Sequence, residues 1–239
     1  MKKIYLMSLL ITVLLVGGCS IGKKDSSPIN INNNIKKDSI DIKTFDGQVK
    51  EFNEVYKKAL FATGKEKKEE SKKNMSMSLS LWQKVVDNFK EQQPNEYKST
   101  LDWGGSLDEI LALEKSADKL VKEEKFQEAH EELEVVRKKL KELRQDNNVK
   151  NISDDMLIFH DIMEEVIEIE SLDKAKGHFD ELVLSLSELR KYAFGSKYEE
   201  KLKKLEKALM DIVGSSKDDF KENRDKIKPL FIDIYLVFG

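Results

Sequence analysis

The spacing of apolar residues from Asp46 onward constrains the fold of this chain more than any other feature. Apolar residues recur there every three or four positions, which is the repeat of one face of an α-helix. The clearest stripe runs through Ala129, Leu133, Val136 and Leu140. Helix-breaking residues are scarce, since the 239 residues include 11 Gly and 3 Pro. The sequence therefore predicts an all-α fold without strands.

Eight helical segments follow from this periodicity, and turn-forming residues separate them. Gly64 and Pro94 end the first and second segments, and Gly195 and Gly214 lie in the last two turns. Ser153 and the two Asp residues after it are expected to cap the fifth segment. The predicted helices span residues 47–62, 66–92, 105–123, 125–147, 153–170, 172–193, 197–214 and 217–236.

The helices form an internal repeat. A shift of 46 residues places the third and fourth predicted helices on the fifth and sixth, with Ile110 on Met156 and Leu133 on Phe179. Such a pattern indicates tandem antiparallel helical hairpins. The simplest packing is two four-helix bundles, 46–148 and 150–239. A continuous α-solenoid of stacked hairpins is the alternative.

Residues 107–144 carry a family resemblance. They combine an amphipathic helix, a short polar connection and a second helix with an arginine in its second half. This arrangement resembles the last two helices of cytochrome b562-like four-helix bundles, and the resemblance implies a bundle. That family binds haem through a His near the end of its last helix. The corresponding stretch, 138–142, has no His, so the resemblance does not extend to haem.

The first 18 residues have the composition of a secretory signal peptide. Lys2 and Lys3 precede an almost unbroken apolar stretch, 4–16, which small residues close. A charged start, a short apolar run and a small-residue cleavage site define such a signal. The run is shorter than the roughly 20 residues that cross a bilayer as a helix. Residues 1–18 are therefore predicted to be a signal peptide, with an uncleaved anchor helix as the alternative.

The end of this segment, Val16-Gly17-Gly18-Cys19, closely resembles the lipobox of bacterial lipoproteins. The resemblance implies that Cys19 becomes the first residue, carries palmitate and other acyl chains, and anchors the protein to the membrane of the cell envelope. Ser20 follows, where that family uses Asp for inner-membrane retention. This implies the outer membrane, on its periplasmic or surface side, if the cell has two membranes.

Cys19 is the single Cys of the chain. An internal disulfide, a thiolate metal cluster and a covalent c-type haem of the Cys-x-x-Cys-His kind are therefore excluded. Residues 19–45 comprise this Cys and a polar stretch without helical period, which predicts a flexible tether. The 42 Lys and Arg are interleaved with 45 Asp and Glu along the whole chain. Nucleic acid is not an expected partner, because binding it requires a basic face.

Two His-Glu pairs are the best candidates for a metal site. His130 and Glu134 are four residues apart, as are His160 and Glu164, so each pair shares a helix face. In an antiparallel hairpin the two Glu lie level, and the two His lie about 12 Å apart along the axis. One ion cannot be bound by both His, but two transition-metal ions could share the Glu residues. The alternative, which we favour, is that the His pack partly buried at a helix interface and pair with Arg and Glu.

Aromatic residues cluster near the second turn and at the end of the chain. Core packing accounts for both clusters. A docking face for a partner helix or an apolar ligand is the functional alternative. Its candidate residues are Trp103, Phe231, Tyr235 and Phe238.

These features favour a protein that binds rather than catalyses. The sequence contains no Gly-rich phosphate loop and no strand-to-helix nucleophile elbow. The first interpretation is a membrane-anchored cell-envelope lipoprotein whose helical part is a non-catalytic module for an envelope protein or a small ligand, without a cofactor. The alternative is a metal-binding bundle that uses His130, Glu134, His160 and Glu164.

Overall fold

A computed structural model describes residues 43–239, and within them it contains α-helices and no strands. Residues 1–42, which include the predicted signal peptide, Cys19 and nearly all of the tether, lie outside the described part. No helix of the described part is both long and apolar enough to span a membrane. The all-α prediction is confirmed. The helices are α1 (Phe45–Gly64), α2 (Lys68–Phe89), α3 (Trp103–Lys122), α4 (Phe126–Gln145), α5 (Ile152–Glu168), α6 (Leu172–Leu189), α7 (Ser196–Val213), α8 (Phe220–Asp225) and α9 (Ile227–Phe238), with a 3-10 turn at Asn95–Tyr97.

Side chains cap several helices where the sequence turns. Thr44 accepts a hydrogen bond from the backbone N–H of Gly47 at the start of α1, over 3.0 Å. Asn151 accepts from the N–H of Ser153 over 2.9 Å and so starts α5. The expected cap at Ser153 is therefore wrong by two residues, because Asn151 already satisfies the first free N–H groups.

The last predicted helix, 217–236, consists of two helices, α8 and α9. The break lies at Lys226, three residues before Pro229. A proline within a helix has no N–H to donate to the carbonyl four residues earlier, here Asp225, and its ring clashes with that carbonyl. Pro229 therefore ends the continuity of the predicted helix and is tolerated in the first turn of α9.

Each helix packs against its neighbours in the manner of a helical bundle. α1 contacts α2 and α4, and α3 contacts α2 and α4; α5 contacts α6 and α9, and α7 contacts α6 and α9. Helices α1 to α4 thus form one ring of packed helices, and α5, α6, α7 and α9 form a second. Contacts between α1 and α9 and between α4 and α5 join these two rings. A contact between the first and last described helices is not expected of a solenoid, whose repeats touch only their neighbours. Residues 43–239 belong to a single compact unit, so the boundary near residue 149 stays a prediction.

Buried aromatic side chains donate hydrogen bonds from one helix to the backbone of another. The indole N–H of Trp82 donates to the Leu107 carbonyl over 3.1 Å and thereby links α2 to α3. The hydroxyl of Tyr56 donates to the Leu133 carbonyl over 2.5 Å and links α1 to α4. Trp82 and Tyr56 are at most 1% exposed. These bonds satisfy atoms that would otherwise be costly to bury.

Candidate functional site

Four helices, α1, α4, α5 and α9, meet around a cavity of about 90 Å³, which we call the junction cavity. It combines apolar walls with several charged side chains. A larger cleft of about 610 Å³ opens between the α4–α5 connection and the end of α6, but most of its lining residues are exposed. The junction cavity is lined by Lys57, Leu60, Phe61, His130, Glu134, Arg137, His160, Met163, Lys228, Phe231, Ile232, Tyr235 and Leu236.

The structure brings the predicted His-Glu pairs to this place. His130 and Glu134 lie one turn apart on α4, with 3.8 Å between Nε2 and Oε1. His160 lies opposite on α5, and its Nε2 is 3.3 Å from Oε1 of Glu164. The imidazole of His130 bonds through Nδ1 to the Leu60 carbonyl over 3.0 Å. Both His are partly buried at a helix interface and paired with Glu, as the favoured interpretation expects.

Arg137 occupies the centre of the group. Its side chain is 6% exposed, and its Nη2 bonds to Glu134 and lies 3.1 Å from Nδ1 of His160. A guanidinium can only donate, so in the neutral form of His160 Nδ1 is the acceptor and Nε2 carries the hydrogen that faces Glu164; in the protonated ring Nδ1 donates instead to Oδ1 of Asp161, 3.3 Å away. On the other side, Nζ of Lys228 is 2.7 Å from Glu164. Each carboxylate of the predicted metal set therefore already faces a cation.

This arrangement weighs against the predicted pair of metal ions. A metal would have to displace Arg137 from Glu134 and Lys228 from Glu164, and it would experience the repulsion of both cations. Within residues 43–239, no group of three or more His, Cys, Asp and Glu is arranged to hold a metal ion. The four candidate residues thus meet in space, but the shared carboxylates of the prediction are engaged in ion pairs instead.

The ion pairs set the protonation of the site. Burial by itself would raise the pKa of Glu164, but hydrogen bonds from His160 and Lys228 outweigh it and lower this pKa to about 2. Burial would lower the pKa of His160, but Asp161 and Glu164 raise it above its usual value. Glu164 is therefore ionised at neutral pH, and it stabilises the charged form of the ring beside it.

Lys57 was not singled out from the sequence, yet it is 2% exposed beside the cavity. Its Nζ donates to the Gly239 carbonyl over 2.5 Å and lies 3.3 Å from Glu54. Burial lowers its pKa. In the sequence Lys57 is one of many lysines on amphipathic helices, and only the docking of α9 against α1 distinguishes it.

The aromatic candidates for a docking face belong mostly to the core. Trp103, Phe231 and Tyr235 are at most 7% exposed. The indole N–H of Trp103 donates to the Phe89 carbonyl over 2.6 Å, and Phe231 stacks on Phe159 with ring centroids 5.3 Å apart. The rings of these three residues fill the interior of the bundle, and their role in a docking face stays a prediction. Phe238, the fourth candidate, is half-buried and packs against Phe194 and Tyr198.

A second polar group lies between α2 and α3. Glu114 is fully buried, and neither of its carboxyl oxygens has a hydrogen-bond partner in the described part of the chain. The hydroxyls of Ser71 and Ser78 on α2 are likewise buried without a partner there. Burial raises the pKa of Glu114 to about 8, although the neighbouring Ser78 hydroxyl lowers it. The sequence did carry a signal, since Glu114 lies four residues after Ile110 and three before Ala117 on the core face.

Comparison with known proteins adds no relative. No protein-family model matches this chain, and no curated protein and no solved structure matches it either. The lipoprotein resemblance thus depends on residues 16–19 and the bundle resemblance on 107–144. Any function has to be inferred from the junction cavity and the amino-terminal residues.

Proposed function

We propose that this protein is a membrane-anchored lipoprotein of the cell envelope, and that its helical part is a non-catalytic module that binds a small ligand or an envelope partner. The anchor is inferred from the sequence Val16–Cys19. The binding role is inferred from one observation, the junction cavity, where buried charges and apolar walls converge.

The composition of the cavity supports a binding role. Ligand sites in proteins are mostly apolar concavities with a few convergent polar groups that orient the ligand. In the junction cavity, Phe61, Met163 and Leu236 supply apolar surface, while Arg137 and His160 supply hydrogen-bonding groups. The cavity is also lined by helices from distant parts of the chain, so a ligand would contact all of them.

The protonation of the site supports binding over catalysis. A general base needs a pKa near the working pH and a lone pair that is free to take a proton. Glu164 has a pKa of about 2 and faces His160 and Lys228. Glu134 is bonded to Arg137. Both carboxylates therefore act as partners of cations rather than as bases.

The anchor is tested by metabolic labelling of the full chain with radioactive palmitate in a bacterial host. We expect label on the wild type, no label on Cys19→Ala, and full label on the matched control Ser20→Ala, because Cys19 is the sole thiol. An unlabelled wild type would show that the lipid anchor is absent, and a labelled Cys19→Ala would show that the lipid is not on Cys19.

The binding role is tested with the full chain in detergent, by screening small metabolites and envelope extracts and mapping amide hydrogen exchange. We expect a bound compound to protect amides of α1, α4, α5 and α9 around the cavity. Ile232→Trp, at a half-buried wall position, should abolish this protection, whereas Val237→Trp, exposed on the same helix, should not. Protection elsewhere, or none with any compound, would refute a binding site at the cavity.

A metal-binding function at His130, Glu134, His160 and Glu164 is the alternative proposal. It is supported by the proximity of these residues and opposed by the cations that already neutralise both Glu. Elemental analysis of the full chain, purified without chelator, separates the two. Stoichiometric metal that is lost in both His130→Ala and His160→Ala would replace the ligand-binding proposal. Metal that both variants retain would place it outside the cavity and leave that proposal intact.

A further inference from the structure

We infer that the junction cavity binds a small monocarboxylate with a short apolar tail, and that Arg137 receives its carboxylate group. This inference rests on the proposed binding function and names the class of ligand. It is carried by the charge of the lining, a buried donor without an acceptor, the apolar walls and the volume.

The formal charges of the lining favour an anion. Among the residues that line the cavity, Lys57, Arg137 and Lys228 are cationic and Glu134 alone is a carboxylate. The carboxylates that pair with the two lysines, Glu54 and Glu164, lie outside this lining. The buried Arg137 guanidinium acts more strongly on a nearby charge than a surface cation would, because the effective dielectric constant around it is lower. The cavity therefore presents mainly the cationic members of these ion pairs, which attract a ligand with one negative charge and repel a cation.

Arg137 has a hydrogen-bond donor to spare. Its Nη2 is engaged with Glu134 and His160, but its Nε is buried and has no acceptor within the described residues. An unsatisfied buried N–H of a charged group is costly, and a carboxylate oxygen is the acceptor that satisfies a guanidinium best. A ligand carboxylate would thus supply the acceptor that the Nε–H of Arg137 lacks.

The remaining walls and the volume define the rest of the ligand. Leu60, Phe61, Met163 and Leu236 offer apolar surface to a hydrocarbon tail. The cavity volume is about 90 Å³, several times the roughly 10–15 Å³ needed to hold one water, so there is room for a small ligand of a few carbons. A phosphate dianion would bury more charge than one free donor can satisfy. A carboxylate with two to four further carbons fits both requirements.

Butyrate is the probe, and its neutral isostere butyramide is the matched control. Isothermal titration of the full chain in detergent, at constant ionic strength, should show one butyrate site and at least tenfold weaker binding of butyramide. Inorganic phosphate should not compete with butyrate. Equal affinities for butyrate and butyramide, or displacement of butyrate by phosphate, would overturn the inference.

Variants locate the site. Arg137→Lys keeps the charge but removes the free Nε–H, so we expect at least tenfold weaker butyrate binding. Arg190→Lys, which changes an exposed arginine paired with Glu206, should bind as the wild type does. If Arg137→Lys does not fold, Lys228→Met, at a half-exposed position, should weaken binding threefold or more. Wild-type affinity in the folded cavity variant would refute the role of these cations.

The outcomes also separate this inference from the proposed function. If butyrate does not bind but another compound protects the cavity from hydrogen exchange, the carboxylate inference fails and the binding module stands. If no compound protects the cavity, both fail. Butyrate binding that Ile232→Trp abolishes and Val237→Trp preserves would support both.

Discussion

The burial of one residue, Glu114, should make the free energy of unfolding of the whole protein depend on pH. Burial raises its pKa from 4.5 to about 8, so the folded protein holds this proton more tightly than the unfolded chain does. The contribution of protonated Glu114 to the free energy of unfolding is therefore fully present below about pH 4.5. It decreases as the pH rises and is lost above about pH 8. Glu114→Gln cannot ionise and should match the wild type at pH 4, but exceed its free energy of unfolding by about 2–4 kcal/mol at pH 8.

Urea unfolding of both proteins between pH 4 and pH 9 measures this difference. Glu128→Gln is the matched control, because Glu128 is exposed on the neighbouring helix. It should follow the wild-type profile throughout. Parallel profiles of the wild type and Glu114→Gln would mean that Glu114 finds a partner or water that the described residues do not provide.

The same residue shows what could be predicted from the sequence at this scale. The position of Glu114 on the core-facing stripe of α3 predicts burial, and the positions of His130 and Arg137 beside the core residues Ala129 and Val136 predict a helix interface. The partners of these side chains could not be predicted. Arg137 meets His160 through the packing of α4 on α5, and sequence spacing within one helix does not encode that contact.

At the scale of the element, a buried ion pair holds α4 and α5 together. Arg144 donates to both carboxylate oxygens of Asp154 over 2.9 and 2.6 Å, and both side chains are at most 10% exposed. Asp154→Ala would leave the guanidinium buried without its anion. We expect a loss of about 3–5 kcal/mol in the free energy of unfolding, measured in urea.

The double variant Arg144→Met with Asp154→Leu is the control for this prediction. Replacing both partners with apolar side chains of similar size removes the buried charges together, so it should cost about 1 kcal/mol or less. A single variant as stable as the double one would indicate that the pair is exposed to water in solution.

The helices were predicted from the sequence better than any other feature, and the errors in their prediction have local causes. Periodicity predicts helices because each helix depends on its own apolar stripe. Its two clear errors lie at helix ends. Pro229 divides the last helix, and Asn151 replaces the predicted cap of α5. A proline near a helix start is compatible with either a continuous or a broken helix until the neighbouring turn is known.

At the scale of the whole molecule, no feature of the sequence predicts the contact of α1 with α9. The internal repeat predicts two similar bundles, and it contains no information about which surfaces join them. In the structure Lys57 on α1 donates to Gly239 just beyond α9, and Tyr56 on α1 bonds to α4. The junction cavity exists because these distant segments meet there. Its location could not be derived from residues 46–148 or 150–239 taken separately.

At this scale, the prediction is that the two rings of helices unfold together. Trp82 and Trp103, the two tryptophans of the chain, both lie in the first ring, so their fluorescence reports on α1–α4 alone, whereas far-UV circular dichroism reports on all helices. Because α1 packs on α9 and Arg144 pairs with Asp154 across α4 and α5, we expect the two urea transitions of the full chain to coincide. Coincident transitions measured by different probes are the mark of one cooperative unit.

The variant Asp154→Ala tests the origin of this cooperativity. Loss of the α4–α5 ion pair weakens one of the two connections between the rings, so it should separate the two transitions by shifting the dichroism signal relative to the fluorescence signal. The double variant Arg144→Met with Asp154→Leu should keep them together. Separate transitions already in the wild type would favour two bundles that fold independently with a boundary near residue 149. The junction cavity would then lie between two domains that can part, and its ligand would be expected to stabilise their association.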